Sequence, residues 1–271
     1  MIECDGYNII GDTHTRDDLL KAALSLPGKP LLIGDMVDGP GDEIETLKMA
    51  KDCFDTDDPN IILGNHEADR IQVVSAAMCI MEGKAPEEYT QIVDAWVKAP
   101  WMGRCALNNY DVSARRYKTS VDKVMQIYER MEKQGLFTFL LNLPAFIELP
   151  DTEKPTSKQN GTIAIHSGLT DENWPDQRRE LNRFVRELRL GNVGQAPDQL
   201  YAFGPARSPA GFKSTDKTVV TGHVSLELTP EQRITADGRR VRLGSPIKHA
   251  GFNTLYTYNT AAKEVIPVQA D

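Results

Sequence analysis

Cysteine is scarce and scattered in this 271-residue chain: Cys4, Cys53, Cys79 and Cys105 form no CxxC pair. That excludes a zinc ribbon and gives no basis for a disulfide framework, so free thiols in a reducing compartment are expected. Long apolar runs are missing as well. No stretch approaches the roughly eighteen apolar residues of a membrane-spanning helix. The first ten residues, MIECDGYNII, lack the basic start and apolar core of a secretion signal. The expectation is a soluble, cytoplasmic protein without membrane contacts. Positive charge is in deficit: 31 Lys and Arg against 39 Asp and Glu leave a net charge of -8. Broad electrostatic adhesion to nucleic acid is therefore not expected. With 40% hydrophobic residues, the chain can still bury a sizeable core, and one domain over 1–271 carrying an insertion accounts for its length.

What the sequence does have is alternation. Apolar runs at 7–10, 31–33 and 61–63 are separated by helical patterns at 16–26 and 43–54. This is a βαβαβ reading, with parallel strands and helices on the faces of an α/β sheet. Beyond it the chain changes character, with helix-like stretches at 70–82, 86–98, 117–134 and 136–143, so a helical cap inserted over about 68–160 is expected. Tyr89, Trp96, Trp101, Tyr110, Tyr117 and Tyr128 would form the core of that cap rather than a stacking platform. The polar segment DTEKPTSKQNG (151–161) returns the chain to a strand at 162–165. A helix at 175–190 follows, and 255–268 reads as a closing hairpin. The Asp-rich DCFDTDDPN (52–60) lacks the spacing of a calcium loop and reads as a polar connection.

Four of the five histidines close short apolar runs. In open α/β sheets ligands bind at the carboxyl ends of strands, so these run ends point to one shared centre. Asp12 and His14 stand two apart beyond the first run, and Asp35 ends the second with a carboxylate that can bridge two cations. Asn65 ends the third with a neutral oxygen, and His166 and His223 end the last two with imidazoles. A mixed nitrogen and oxygen set without thiolate suits Mn, Fe, Zn or Ni. Six ligands suffice for a pair of ions, which can bind a phosphoryl group and acidify a bridging water. His66 adjoins Asn65 and could protonate a leaving group, with Asp38 fixing its tautomer. His249, in SPIKHAGF, has no partner at ligand spacing and reads as a loop residue.

GDTH, GDMVD, GNHE, HSGL and GH, in this order from residue 9 to about 224, resemble the five signature blocks of the calcineurin-like metallophosphoesterase superfamily. The branch is the phosphoprotein-phosphatase-like one, with serine/threonine phosphatases, diadenosine tetraphosphatases and bacterial polynucleotide phosphatases. The resemblance implies a four-layer αββα sandwich and two divalent ions, manganese first among them. Asp12, His14 and Asp35 would hold one ion and Asp35, Asn65, His166 and His223 the other. A metal-bridging hydroxide would attack, and His66 with Asp38 would protonate the leaving group. A phosphorylated small molecule, nucleotide or phosphopeptide would be the substrate.

Three positions depart from the pattern. Gly39 stands where the family carries a phosphate-gripping Arg, Leu63 replaces a second Arg, and Thr15 replaces a turn Gly. Arg16 and Arg70 are nearest the motifs as replacements, with Arg104, Arg115, Arg116, Arg179, Arg183 and Arg186 further off. Along the helix at 175–190 the arginines read as a solvated face paired with Glu180 and Glu187. Phosphomonoester hydrolysis is the expected reaction. Hydrolysis of a phosphoanhydride or phosphodiester, as in diadenosine tetraphosphatases, is an alternative. So is a metal-binding scaffold without catalysis.

Overall fold

The computed structural model describes residues 6–113, 116–150, 161–201, 212–245 and 253–270; Cys4, Arg115, His249 and the connection 151–160 lie outside them. The chain opens with strand β1 (Tyr7–Ile10), helix α1 (Asp17–Leu24), strand β2 (Lys29–Leu32) and helix α2 (Glu43–Cys53). Five consecutive helices follow: α3 (Asn65–Met81), α4 (Glu87–Lys98), α5 (Gly103–Asn109), α6 (Ser120–Glu132) and α7 (Leu136–Asn142). Then come strands β3 (Phe146–Pro150) and β4 (Gly161–Ile165), helices α8 (Trp174–Arg189) and α9 (Asp198–Tyr201), and strands β5 (Thr218–Thr221) and β6 (Arg240–Arg242). The closing hairpin is β7 (Thr254–Asn259) and β8 (Glu264–Gln269).

The strands form two four-stranded mixed sheets, in the orders β2-β1-β7-β8 and β3-β4-β5-β6. Alternation along each strand explains why the sheets stack. Successive side chains point to opposite faces, so Ile9, Leu31, Ala164 and Val220 share an inner core between the sheets. Their neighbours Ile10, Leu32, Ile163, Ile165 and Val219 join the core shared with the helices. Helix α1 packs on β7 and β8. Helix α8 covers the second sheet, with Trp174 edge-on to Phe146 at 5.1 Å and donating its indole N–H to Glu148 at 2.9 Å. The layers therefore run helix, sheet, sheet, helix.

Three local outcomes differ from the sequence expectations. The run 61–63 contributes only one isolated parallel bridge, Leu32 to Ile61, because Leu63 N–H already turns to Pro144 O. Phe146–Pro150 lies inside the span expected to be a helical cap yet pairs antiparallel with β4 in the second sheet. The helical segment therefore ends at Asn142. Trp101 is 43% exposed rather than part of a helical core, whereas Trp96 and Tyr110 are buried. Cys53, Cys79 and Cys105 are free thiols. No described helix is long and apolar enough to cross a membrane.

Candidate metal centre

The centre is assembled from tight loops at strand ends. His14, Thr15, Asp35, Asp38 and His223 all adopt positive φ, between 43° and 66°, a region that costs non-glycine residues energy and recurs at functional sites. Backbone bonds hold the first two loops together: Thr13 and His14 N–H both donate to Asp35 O (3.2 and 2.8 Å), and Thr15 N–H donates to Met36 O at 3.0 Å. Gly34 is required where this loop meets the start of α3, since a Cβ there would lie 2.3 Å from Gly64 N and its φ is +91°. Glu67, completely buried, ties the same junction together. Its carboxylate accepts from Asp35 N (2.8 Å), Met36 N (2.7 Å), Val37 N (3.1 Å) and Gly64 N (2.9 Å).

Into this frame the four predicted histidines project with the same polarity. One nitrogen of each ring is held by an outer acceptor. His14 Nδ1 lies 3.4 Å from Val37 O, His166 Nδ1 donates to Ile33 O (2.9 Å), His223 Nε2 to Tyr201 O (3.2 Å) and His66 Nδ1 to Asp38 Oδ2 (2.9 Å). The other nitrogen faces inward. Asp35 Oδ2 lies 3.7 Å from His14 Nε2, 3.9 Å from His66 Nε2 and 3.3 Å from His166 Nε2. Asn65 Oδ1 is 2.9 Å from both His166 Nε2 and His223 Nδ1. Asp12 completes the set, its Oδ1 3.9 Å from His166 Nδ1 and against Gly222, whose Cβ would come within 2.0 Å of it. Two groupings have donor atoms within 4.8 Å of one another: His14, Asp35 and His66, and Asp35, His166 and His223. Metal-ligating imidazoles characteristically have their outer nitrogen fixed by a carbonyl or carboxylate, so the two groupings, which share Asp35, could hold metal ions.

The electrostatics follow the geometry. Burial alone would raise the Asp35 carboxyl, but His166, His66 and His14 outweigh it and hold Asp35 well below the usual carboxylate range. Burial opposes charge on His166 too, yet Asp35, Asp12 and the Ile33 carbonyl push it up to about 9. His223, buried and beside His166, is pushed down to about 4. Burial and the nearby Asp35 raise Glu67.

No protein-family model and no curated protein matches the chain. Solved structures similar to it include a candidate diadenosine tetraphosphatase, at 18% identity over 99% of this chain and 95% of that one, with a TM-score of 0.47. A cold-active protein tyrosine phosphatase variant is 14% identical over 98% of this chain and 80% of that one, TM-score 0.45. A hypothetical protein of Pyrococcus horikoshii OT3 is 13% identical over 98% and 88% of the two chains, TM-score 0.44.

The arginines sort differently from the histidines. Arg70 is completely buried, its NH2 donating to Asp38 Oδ1 at 2.6 Å and its NH1 to Glu43 Oε1 at 2.7 Å. Its position is behind Asp38, on the far side from His66. Asp38 and Glu43 overcome the effect of burial and raise its pKa. Arg16 donates twice to Asp18 (2.8 and 2.6 Å) and once to Asn253 (2.8 Å). Arg104, Arg116, Arg179, Arg183 and Arg186 are exposed, with Arg179 paired to Asp176 and Arg186 to Glu187. Leu63 is a core residue, 1% exposed.

Several participants escaped the sequence reading. Glu67 could have been found as the acidic residue three places into a helix that starts at Gly64, where its carboxylate meets free N–H groups. Glu43, Asp69 and Tyr201 carry no such signal. Tyr201 donates its hydroxyl toward Asp69 Oδ1 (2.6 Å) and Asn65 O (3.2 Å), and burial pushes Asp69 up to about 6 against that bond.

Proposed function

We propose that this chain is a dinuclear-metal-dependent phosphoesterase that hydrolyses a phosphomonoester. One observation carries the reading: the inward-facing nitrogens of His14, His66, His166 and His223 converge on Asp35 and Asn65 while their outer nitrogens are all engaged. Asp12, His14 and Asp35 would hold one ion, and Asp35, Asn65, His166 and His223 the other. Bound there, two divalent ions supply positive charge for a phosphoryl group and lower the pKa of a water that attacks it. Manganese is the first metal to try, with iron, zinc and nickel as alternatives.

The protein's own contribution to leaving-group departure is assigned to His66. Its Nδ1–H is fixed by Asp38, so the imidazolium form would carry its second proton on Nε2, toward the centre, and return to the Nδ1–H tautomer after giving that proton to the leaving oxygen. Arg70 and Glu43 in turn hold Asp38. The proximity of His66 to His14 and Asp35 supports a second reading, in which His66 is itself a ligand. His66→Asn separates the two. As an acid, its loss lowers turnover of esters with poor leaving groups by about 10²–10⁴ and leaves metal content unchanged; as a ligand, its loss removes metal.

The reaction class is tested by comparing p-nitrophenyl phosphate, its bis-ester, a phosphopeptide and diadenosine tetraphosphate with Mn²⁺. Preference for monoesters supports the proposal. Preference for the bis-ester or the tetraphosphate replaces it with diester or anhydride hydrolysis. Metal binding without turnover of any of the four leaves a metal-binding scaffold.

A further inference from the structure

The short helix α9 (Asp198–Tyr201) bonds to three separate loops of the candidate centre. The Gln199 carbonyl accepts from Ser167 N–H at 3.1 Å and from Gly168 N–H at 3.3 Å, the two residues that follow His166. The Tyr201 carbonyl lies 3.2 Å from His223 Nε2, the nitrogen turned away from Asn65. The Tyr201 hydroxyl reaches the third loop, 3.2 Å from the carbonyl of Asn65 and 2.6 Å from Asp69 Oδ1 one turn further along α3. Asn65, His166 and His223 are the residues assigned above to the second ion alone. The loops of Asp12 and His14 have bonds of a different origin, with Thr13 and His14 N–H donating to Asp35 O.

Helix α9 can hold these loops because it is itself fixed at both sides. Leu200 is buried in the main core, and the Gln199 amide, 2% exposed, donates to Gln177 Oε1 at 3.2 Å and Glu180 Oε2 at 3.4 Å on α8. Gln177 accepts in turn from Thr170 N–H at 2.9 Å, in the loop that follows His166. Tyr201 makes the link to α3. His223 gives this link its chemical point. His14, His66 and His166 turn Nε2 inward, toward Asp35, whereas His223 turns Nδ1 toward Asn65 Oδ1. An imidazole that gives one nitrogen to a cation carries its N–H on the other, and the acceptor there fixes the ring. For His223 that acceptor has to stand at the far end of the ring, and α9 supplies it.

We propose that α9 is the positioning element of one ion site, with Tyr201 the positioning residue that holds Asn65 and His223 in register with each other. The ion-site part of this assignment rests on the dinuclear-metal reading; the hold of Tyr201 on His223 does not.

Tyr201→Phe removes one hydroxyl and keeps the ring and the carbonyl, so the fold is retained. Titration of the metal-free, full-length protein with Mn²⁺, followed by electron paramagnetic resonance, should show two bound ions for the unsubstituted protein. In the variant one of them should bind about 10–100-fold more weakly, the cost of losing a partner behind a ligand, and the other should keep its affinity. Equal weakening of both, or of neither, overturns the proposal, because a general loosening of the fold has no reason to choose between the ions. A second readout needs no metal. In 1H–15N spectra of the histidine-labelled, metal-free protein the substitution should move the ring signals of His223 and leave those of His14 in place, and rings that move alike or not at all overturn the proposal as well. An unsubstituted protein that binds fewer than two ions overturns the dinuclear reading instead, and the ring signals then decide for or against Tyr201 on their own.

Discussion

Arg70→Met would remove a cation bonded to two buried carboxylates. Arg70, Asp38 and Glu43 are each 0% exposed, and the guanidinium bonds are 2.6 and 2.7 Å long. Met fills much of the volume but leaves both acids uncompensated, and breaking a buried ion pair in this way costs about 3–5 kcal/mol. For a chain of this length that corresponds to a fall in Tm of roughly 6–20 °C by calorimetry or circular dichroism. Adding Glu43→Gln removes one of the stranded charges, so the double variant should be less destabilised than the single one, a coupling that a thermodynamic cycle measures. Catalysis should respond selectively. On the proposed roles Asp38 acts through His66, so kcat should fall for alkyl phosphates, which need a proton on the leaving oxygen, and change little for p-nitrophenyl phosphate. A Tm unchanged within the error of measurement, or an equal loss of kcat on all leaving groups, would refute the clamp as the support of the Asp38–His66 pair.

Three other perturbations read the site directly. Gly39→Ala places a Cβ 1.9 Å from the carbonyl oxygen of His14; it should cost about 1–3 kcal/mol in stability and weaken metal binding, and a variant that melts and titrates like the parent would show the loop to be pliable. Metal binding should release protons at pH 7.5, because His166, pushed up to about 9, has to lose its proton to become a ligand, and a water that ionises between bound ions adds to the release. Binding heats measured in buffers of different ionisation enthalpy give the number, and heats independent of buffer would contradict it. Asp69, raised from 3.8 to about 6 by burial, binds more protons in the folded than in the unfolded chain between those values. Its contribution should therefore erode stability by roughly 2–3 kcal/mol as pH rises from about 4 to 6; Asp69→Asn should remove that slope, and superimposable stability curves for parent and variant would count against it.

The clustering of the candidate ligands was legible in the sequence because most of them follow the end of a strand. Asp12 and His14 follow β1, Asp35 follows β2, and His166 and His223 follow β4 and β5, whereas Asn65 opens α3 after a run that forms only an isolated bridge. The hairpin and the long helices were legible from periodicity. What was not legible depends on contacts between distant segments. Arg70 looked available because it lies near a motif, but its helix turns it inward onto Asp38 and Glu43, 32 and 27 residues away. The short strand β6 reads Arg-Val-Arg and has no apolar alternation to mark it; it forms because β5 offers a free edge. The edge strand β3 was masked by its place behind a run of helices, with Pro150 at its end.

Two departures from the metallophosphoesterase pattern prove to be a single structural fact. Thr15, at φ 63°, keeps its left-handed backbone because Met36 O takes its N–H and its own Oγ1 accepts from Gly41 N at 2.8 Å. Those bonds draw the 36–41 loop so close that a Cβ on residue 41 would stand 2.0 Å from Thr15 O, and one on residue 39 would stand 1.9 Å from His14 O. With the loops closed in this way, no side chain fits at position 39, and an arginine there would have to open the very contact that positions His14.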